Sequence, residues 1–481
     1  MGGGRRVFWE LVRRETKVTN PLTPTQVKRP FVLLAGASAL LLVALLEALF
    51  LGEYATEVVA ATLLVFPAVW LLVRVSLRMK RRVKLDVFSP LVAFPLAYVL
   101  WFGLGSLTFL WESNPPRYLY FVLGLLAYLV GVLATRRKGA ALQEARRPSE
   151  RIPWSASHFR FAVFVFFVFM TGSYLLLVAQ TGIPAFHADV VLRREALQPH
   201  HYLVAVLLSS AMTLMLFLAA DLWSLKRVLA PLQSGGILGL AAFMLGSFGN
   251  RGFLAVPALT LLILWHYWRR PIRMGTLAII ALAAFMASAG YGYQRVRAIR
   301  SDWRESAWSQ WLYSSAAFTL HTSLSNFRDV VQAIPSEVPY QRGYLTFGAL
   351  LQILPGHHES SDEFFKRILA NDFVGGGQPG SLLAPFYGDF GLGGILMGMF
   401  FFGAFSARAY AWTAKSPTLL RVLLYSWLAQ TALFSLYGAL ATYFITLWLP
   451  FMWWVLHCWM RTARQVAERG SQGPVRSLRP A

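Results

Sequence analysis

Runs of about 20 mostly apolar residues recur along nearly the whole chain, and this pattern constrains its fold more than any other feature. The 481 residues are 56% hydrophobic and only 14% charged. A helix of about 20 apolar residues crosses a hydrocarbon core of about 30 Å and satisfies its own backbone polar groups there. We therefore predict an all-α polytopic integral membrane protein with about twelve transmembrane helices. The predicted crossings are 31–51, 54–74, 87–110, 118–135, 159–180, 202–223, 231–249, 252–268, 274–292, 381–405, 418–437 and 440–460.

The basic residues cluster in alternate connections between these apolar runs. The basic connections and ends are 1–30, 74–84, 136–151, 226–227, 269–273, 408–415 and 461–481. Loops rich in lysine and arginine stay in the cytoplasm, so both termini are predicted to be cytoplasmic. The formal net charge of +23 would otherwise suggest a nucleic-acid partner, but this distribution argues against one. The single cysteine, Cys458, excludes an intramolecular disulfide and a cysteine-based metal cluster.

Two predicted external loops divide the chain. Residues 1–30 form a basic cytoplasmic segment, 31–292 hold the first nine crossings with a smaller external loop at 181–201, and 293–380 form a large external loop with short helices. Residues 381–460 hold the last three crossings, and 461–481 form a basic tail. The large loop carries eight basic and eight acidic residues. Because these charges cancel, its arginines do not set the topology and need another explanation.

Three arginines of the large loop have helical spacing. Arg297, Arg300 and Arg304 would share one helix face, with Arg295 just before them. One interpretation is an interfacial helix whose arginines meet lipid phosphates and whose nearby tryptophans lie at headgroup depth. The other is a bidentate clamp for a lipid-linked pyrophosphate. The two interpretations are compatible, because a lipid-linked pyrophosphate lies at that depth.

Other external arginines are further anion-binding candidates. Arg251 lies in a glycine- and asparagine-containing turn just before a helix, whose free N–H groups could face an anion; a hairpin with a snorkelling arginine is the alternative. Arg193 and Arg194, near two histidines, form either a second anion site or a solvated loop. Arg328 of the large loop completes the candidate set.

Histidines and acids of the same region are candidates for a general base. His321 lies among small and hydroxyl residues, and a neutral imidazole can accept a proton from a hydroxyl group; a purely structural histidine is the alternative. His357 and His358 precede Glu359, but their spacing matches no common metal-ligand pattern, so no metal is expected. Asp389 lies near the outer end of a predicted membrane helix, where an acid is expected to have a function.

Several segments resemble the Wzy-type O-antigen and exopolysaccharide repeat-unit polymerases. They are Tyr387-Gly388-Asp389-Phe390-Gly391 after a glycine-rich turn, Gly249-Asn250-Arg251-Gly252, and Gly343-Tyr344-Leu345-Thr346-Phe347-Gly348 leading to Leu354-Pro355-Gly356. The resemblance covers about 246–410. In many relatives an arginine follows that proline, whereas here a glycine and two histidines follow it. The family is related to the O-antigen ligases and implies a fold like that of the glycosyltransferase-C membrane enzymes.

The resemblance implies a glycosyltransferase of the bacterial inner membrane with its active site facing outward. It would transfer a growing glycan from undecaprenyl pyrophosphate to the non-reducing end of an incoming lipid-linked repeat unit, inverting the linkage without a metal or cofactor. Membrane lipids and a chain-length regulator are the expected partners. The alternatives are a ligase that passes the glycan to lipid A-core and a transporter of lipid-linked sugars. Transporters often have repeated halves, and no repeat is visible here.

Overall fold

The computed structural model describes twelve stretches of the chain, all within one compact unit of residues 64–481. They are residues 86–109, 116–135, 154–183, 200–224, 227–248, 251–284, 286, 308–352, 359–369, 378–415, 417–438 and 444–471. Within them the secondary structure is helical, without a strand. The predicted crossings at 31–51 and 54–74 lie outside the described residues. The number of crossings and their orientation therefore stay predictions.

The helices follow the apolar runs. They are α1 Ala93–Ser106, α2 Tyr118–Ala134, α3 Ala156–Thr181, α4 His201–Leu222, α5 Pro231–Ser247, α6 Arg251–Trp268, α7 Met274–Ala284, α8 Trp308–Ala333, α9 Gly348–Leu351, α10 Ser361–Ile368, α11 Leu383–Lys415, α12 Leu419–Phe434 and α13 Phe444–Ser471. In the described part of the chain, three helices are long and apolar enough to span a membrane: Ala156–Thr181, Tyr202–Leu222 and Leu383–Lys415. Shorter apolar helices accompany them. The described part of the chain is thus all helical, and its long apolar helices are those of a membrane protein.

The large loop differs from its prediction in one respect. Short helices were expected there, and α9 and α10 fit that expectation, but α8 has 26 residues. Polar residues interrupt its apolar positions, so it does not form a continuous apolar run. Leu324, Phe327 and Val330 of this helix are nevertheless fully buried, and the ring of Phe327 lies 4.8 Å from the ring of Phe121 on α2. This contact packs the loop helix onto the membrane helices.

Helices α2 and α11 pack closely because glycines face each other. A Cβ atom added to Gly131 would overlap the carbonyl oxygen of Phe400, and one added to Gly403 would overlap that of Tyr128. Small residues allow such backbone approach between membrane helices. Nearer its start, α11 is kinked at Phe390 and Gly391, and Gly391 has φ 63°. The contact and the kink together fix where the start of α11 lies against α2.

The described helices have two ends, which we call the open end and the closed end. At the open end, α1 finishes, and α2 and α11 begin: the Tyr118 hydroxyl donates to the Ser106 carbonyl, and the Leu382 amide donates to the Ser435 carbonyl after α12. At the closed end, Asp86 contacts the ends of α6 and α11. Tyr410 donates to Asp86 Oδ2 at 2.6 Å, and Tyr267 reaches both carboxylate oxygens at 3.0 and 3.1 Å.

Candidate functional site

His321 lies at the open end, on α8, against the turn that follows α1. Its ring stacks on Phe109 with a centroid distance of 4.3 Å, and its Nδ1 lies 3.2 Å from Thr108 Oγ1. The turn Leu107–Phe109 is a single turn of 3-10 helix that continues α1. About two turns earlier on α1, Trp101 Nε1 donates to Ser323 Oγ at 3.0 Å. Two contacts between α1 and α8 therefore hold the imidazole in place.

The hydrogen bonds of Thr108 define the tautomer of neutral His321. The Thr108 hydroxyl donates its one hydrogen to the Gly105 carbonyl at 2.7 Å. Thr108 Oγ1 must then accept from His321, so Nδ1 carries the ring hydrogen. The lone pair is consequently on Nε2. A general base needs such a nitrogen.

Arg328 lies on the same face of α8, two turns after His321. Its guanidinium carbon is 5.7 Å from the centroid of the Phe109 ring, and its Nε is 2.9 Å from Asp329 Oδ1. The arginine side chain is partly exposed, at 20% of its full accessible area. Phe109 therefore brings together one predicted general base and one predicted anion-binding arginine. Neither residue type nor spacing in the sequence identified Phe109 or Thr108.

Asp389 lies just before the kink of α11 and is fully buried. Its carboxylate accepts hydrogen bonds from the backbone amides of Leu345 at 3.1 Å and Thr346 at 2.7 Å. Both carboxylate oxygens thus act as acceptors. In the structure, the carboxylate holds the turn at 341–347. The predicted catalytic role of Asp389 stays a prediction.

A tyrosine cluster beside this turn was not predicted. Tyr387 stacks on Tyr120 at 5.6 Å and meets Tyr340 edge-on at 6.2 Å, and its hydroxyl donates to the Ile334 carbonyl at 3.2 Å. Arg117 Nη1 donates to the Tyr120 hydroxyl at 3.5 Å. The only sequence signal was an arginine followed by tyrosines at the start of an apolar run. Rings and hydroxyls in this arrangement can bind a polar ligand such as a sugar.

Several predicted site residues lie outside the described residues. They are Arg193, Arg194, Arg295, Arg297, Arg300, His357 and His358. Arg251 is the first residue of α6, as its turn-then-helix pattern predicts, but its side chain also lies outside the described part. Their roles stay predictions.

Glu359, the acid that directly follows His357 and His358, is paired. Its carboxylate accepts from Arg367 Nη2 at 2.6 Å, and this hydrogen bond raises the pKa of Arg367 above its ordinary value. Among the described residues, no group of three His, Cys, Asp or Glu side chains is arranged as metal ligands would be. The candidate site thus comprises His321 and Arg328 on Phe109, and Asp389 beneath the neighbouring turn.

The fold and the site define a helical membrane protein that carries a histidine, an arginine and a cluster of tyrosines at one end of its helices. The family whose model is described as "Putative O-antigen polymerase" matches residues 86–447, about three quarters of the chain. The chain belongs to this family. The predicted resemblance is therefore confirmed, and it extends well beyond the stretch 246–410. No match to a curated protein or to a solved structure reached significance.

Proposed function

We propose that this protein polymerises polysaccharide repeat units at the outer face of the bacterial cytoplasmic membrane. The growing glycan is transferred from undecaprenyl pyrophosphate to the non-reducing end of an incoming lipid-linked repeat unit. Family membership supports polysaccharide polymerisation and a lipid-linked oligosaccharide substrate. The observation that carries the chemical proposal is the placement of His321 and Arg328 on one ring at the open end.

In this reaction His321 is the general base. Its Nε2 takes the proton from the acceptor hydroxyl as that oxygen forms a bond to the anomeric carbon of the donor glycan. The bond between the anomeric carbon and the pyrophosphate oxygen breaks, and the electron pair leaves with undecaprenyl pyrophosphate. Attack from the opposite side inverts the configuration. A positioned base of this kind contributes about 10²- to 10⁴-fold to the rate.

Arginines stabilise the charge that develops on the leaving pyrophosphate. Guanidinium groups match phosphate oxygens in geometry, and charge-assisted hydrogen bonds are stronger than neutral ones. Arg328 is the described candidate nearest to His321. Arg251, Arg295, Arg297, Arg300, Arg193 and Arg194 are proposed to contribute from their predicted external turns, in place of a metal ion. His357 and His358 are the alternative base.

The outer location has a direct labelling test. Asp86 follows the basic run 74–84 and lies at the closed end, so the charge pattern predicts that the open end faces outward. In a Cys458→Ser background, a Glu337→Cys variant should react with a membrane-impermeant maleimide in intact cells. An Arg227→Cys variant should react only after the cells are lysed; both positions are exposed. The opposite labelling pattern would refute the orientation.

The reaction is tested with purified protein and purified lipid-linked repeat unit, without any other acceptor. A ladder of products is expected. Absence of a ladder together with transfer to added lipid A-core would identify a ligase, and movement of the substrate across vesicles without transfer would identify a transporter.

The arginine role has a matched control. Arg328 and Arg421 both hold a guanidinium over an aromatic ring, and Arg421 does so over Trp412 at 4.5 Å near the closed end. Arg328→Ala should lower the polymerisation rate by about tenfold or more, because one charge-assisted contact is lost. Arg421→Ala should retain the wild-type rate. Equal activity of the two variants would remove Arg328 from the site.

A further inference from the structure

The turn at 341–347 is fastened to the kinked start of α11 by four backbone amides. Gln341 and Arg342 donate to the carbonyls of Gly388 and Asp389 at 2.9 and 3.2 Å. Leu345 and Thr346 donate to the Asp389 carboxylate. The carboxylate of the fully buried Asp389 thus accepts hydrogen bonds from the backbone of one external turn. These bonds hold the turn in a single conformation.

Within this rigid turn, Arg342 has a left-handed backbone. Its φ is 53°, and the next residue, Gly343, has φ 101°. A left-handed conformation costs a residue with a Cβ about 1–2 kcal/mol, whereas glycine or asparagine adopts it readily. The arginine at position 342 therefore adopts a backbone conformation that is less favourable for it than for glycine or asparagine. Strained residues of this kind concentrate at functional sites.

The Arg342 side chain is exposed. Within the described part of the chain, its guanidinium has no hydrogen bond, ion pair or ring contact. A Cβ at Gly343 would lie 3.3 Å from the ring of Phe347 and 3.7 Å from Phe390 Cζ, so both rings flank the turn. Phe347 and Phe390 are 56% and 54% exposed. An exposed guanidinium on a turn that is flanked by two exposed apolar rings suits a ligand that joins a phosphate to a hydrocarbon chain.

We propose that Arg342 binds the diphosphate of a lipid-linked substrate, and that Asp389 is the positioning residue that holds Arg342 in its left-handed conformation. This inference rests on the proposed function and names a further residue of the same site. Phe347 and Phe390 contact the first isoprene units. In this role, Asp389 acts through the backbone of the turn.

The test separates the side chain from its backbone strain. Arg342→Asn removes the guanidinium but suits the left-handed φ, so its apparent Tm in detergent should equal or exceed that of the wild type. Geranylgeranyl diphosphate is the probe, and its binding to the full-length protein is measured from the rise in Tm with ligand concentration. The Kd should be about tenfold or more higher in Arg342→Asn. Arg342→Lys should give an intermediate Kd, because it keeps the charge without the planar fork.

Arg270→Asn is the control, because Arg270 is exposed in the connection between α6 and α7; its Kd should match that of the wild type. An unchanged Kd for Arg342→Asn would overturn the proposal. So would loss of stabilisation by phosphatidylglycerol bicelles with an unchanged Kd for the probe, since Arg342 would then bind bulk headgroups.

The binding assay needs no transfer reaction. A wild-type protein that binds the diphosphate but makes no ladder would refute only the polymerase. An Arg342→Asn variant with the wild-type Kd for the probe would refute only the role of Arg342.

Discussion

Two aspartates near opposite ends of the described helices, the partly buried Asp86 and the fully buried Asp389, do different work. At the closed end, Asp86 accepts from tyrosines of α6 and α11 and so joins helices that are far apart in sequence. At the open end, Asp389 accepts only from backbone amides in its described side-chain contacts, and it shapes a turn. A carboxylate that joins side chains stabilises the fold, whereas one that holds a turn can present a neighbouring side chain to a ligand.

The histidines at the two ends differ in the ring nitrogen that carries the hydrogen. His266 Nδ1 accepts from the Ile272 amide at 2.9 Å, so the ring hydrogen is on Nε2, which lies 3.3 Å from Asp86 Oδ1. His321 has the opposite tautomer, with hydrogen on Nδ1 and the lone pair on Nε2. Both nitrogens of His266 are used within the fold. The lone pair of His321 is on the nitrogen that does not face Thr108, as a base requires.

The largest expected effect is on the stability of the closed end. Asp86→Ala removes the common acceptor of His266, Tyr267 and Tyr410 and leaves their polar groups buried. We expect a loss of about 3–5 kcal/mol in the free energy of unfolding, because breaking a buried network leaves unsatisfied groups. Thermal unfolding in detergent measures this loss. A variant as stable as the wild type would show that the two aspartates do not differ as described.

The next effect is on the rate. His321→Ala should reduce polymerisation by about 100-fold or more, with less than about 1 kcal/mol lost in stability. His266→Ala should instead lower the free energy of unfolding, while the polymerisation rate of the folded protein should change little. His158→Ala, near the closed end beside Trp459, is the control for histidine loss. Full turnover of His321→Ala would transfer the base to His357 or His358.

A smaller effect is expected from the residue that orients the base. Thr108→Val removes the acceptor that holds the His321 Nδ1 hydrogen, and Thr108→Ser keeps it. The valine variant should lose about tenfold in kcat, about 1.4 kcal/mol, with a small change in KM. The serine variant should recover most of the rate. Equal rates for both variants would mean that Thr108 only packs beside the ring.

Acid should weaken the closed end through Asp86. Burial opposes its ionisation, but the hydrogen bonds from His266 and Tyr410 outweigh burial and lower the pKa of Asp86 below the ordinary 3.8. A lowered pKa means that ionised Asp86 contributes stability above pH of about 4, and that this contribution is lost as the pH falls through the folded-state pKa. Wild-type unfolding temperatures should fall below pH 4, and those of Asp86→Asn should fall less. Parallel curves would contradict this assignment.

The smallest effect is expected at an exposed ion pair. Arg367 is 61% exposed where it pairs with Glu359. Exposed pairs contribute about 0–1 kcal/mol, so Arg367→Ala should change the unfolding temperature by no more than a degree or two. A shift as large as that of Asp86→Ala would show that the open end depends on charge pairing for its stability.

The sequence predicted the helices well where hydropathy and length decide the outcome. The runs at 118–135 and 159–180 became Tyr118–Ala134 and Ala156–Thr181. Helix α8 was not predicted as one 26-residue element, because polar residues interrupt its apolar positions. A hydropathy reading detects helices that are apolar all round more readily than helices with one apolar face.

The sequence was less informative about the site, because its partners are distant along the chain. His321 and Arg328 were selected by residue type and by their predicted location in an external loop, and Asp389 by its charge near the outer end of a predicted membrane helix. Phe109 and Thr108 were not, since nothing local connects them to a histidine more than 200 residues later. Likewise, the sequence identifies Asp389 as a candidate, but its contact with the turn at 341–347 forms only in the folded chain.

The backbone contact between Gly131 and Phe400 has a consequence for genetics. Even a single methyl group has no room there, so an alanine at Gly131 or Gly403 would separate α2 from α11. Such alleles would abolish polymer formation without altering any atom that touches substrate. A mutant collection scored only by the loss of surface polysaccharide would group these glycines with His321. Protein abundance must be scored alongside the phenotype before a null allele is assigned to chemistry.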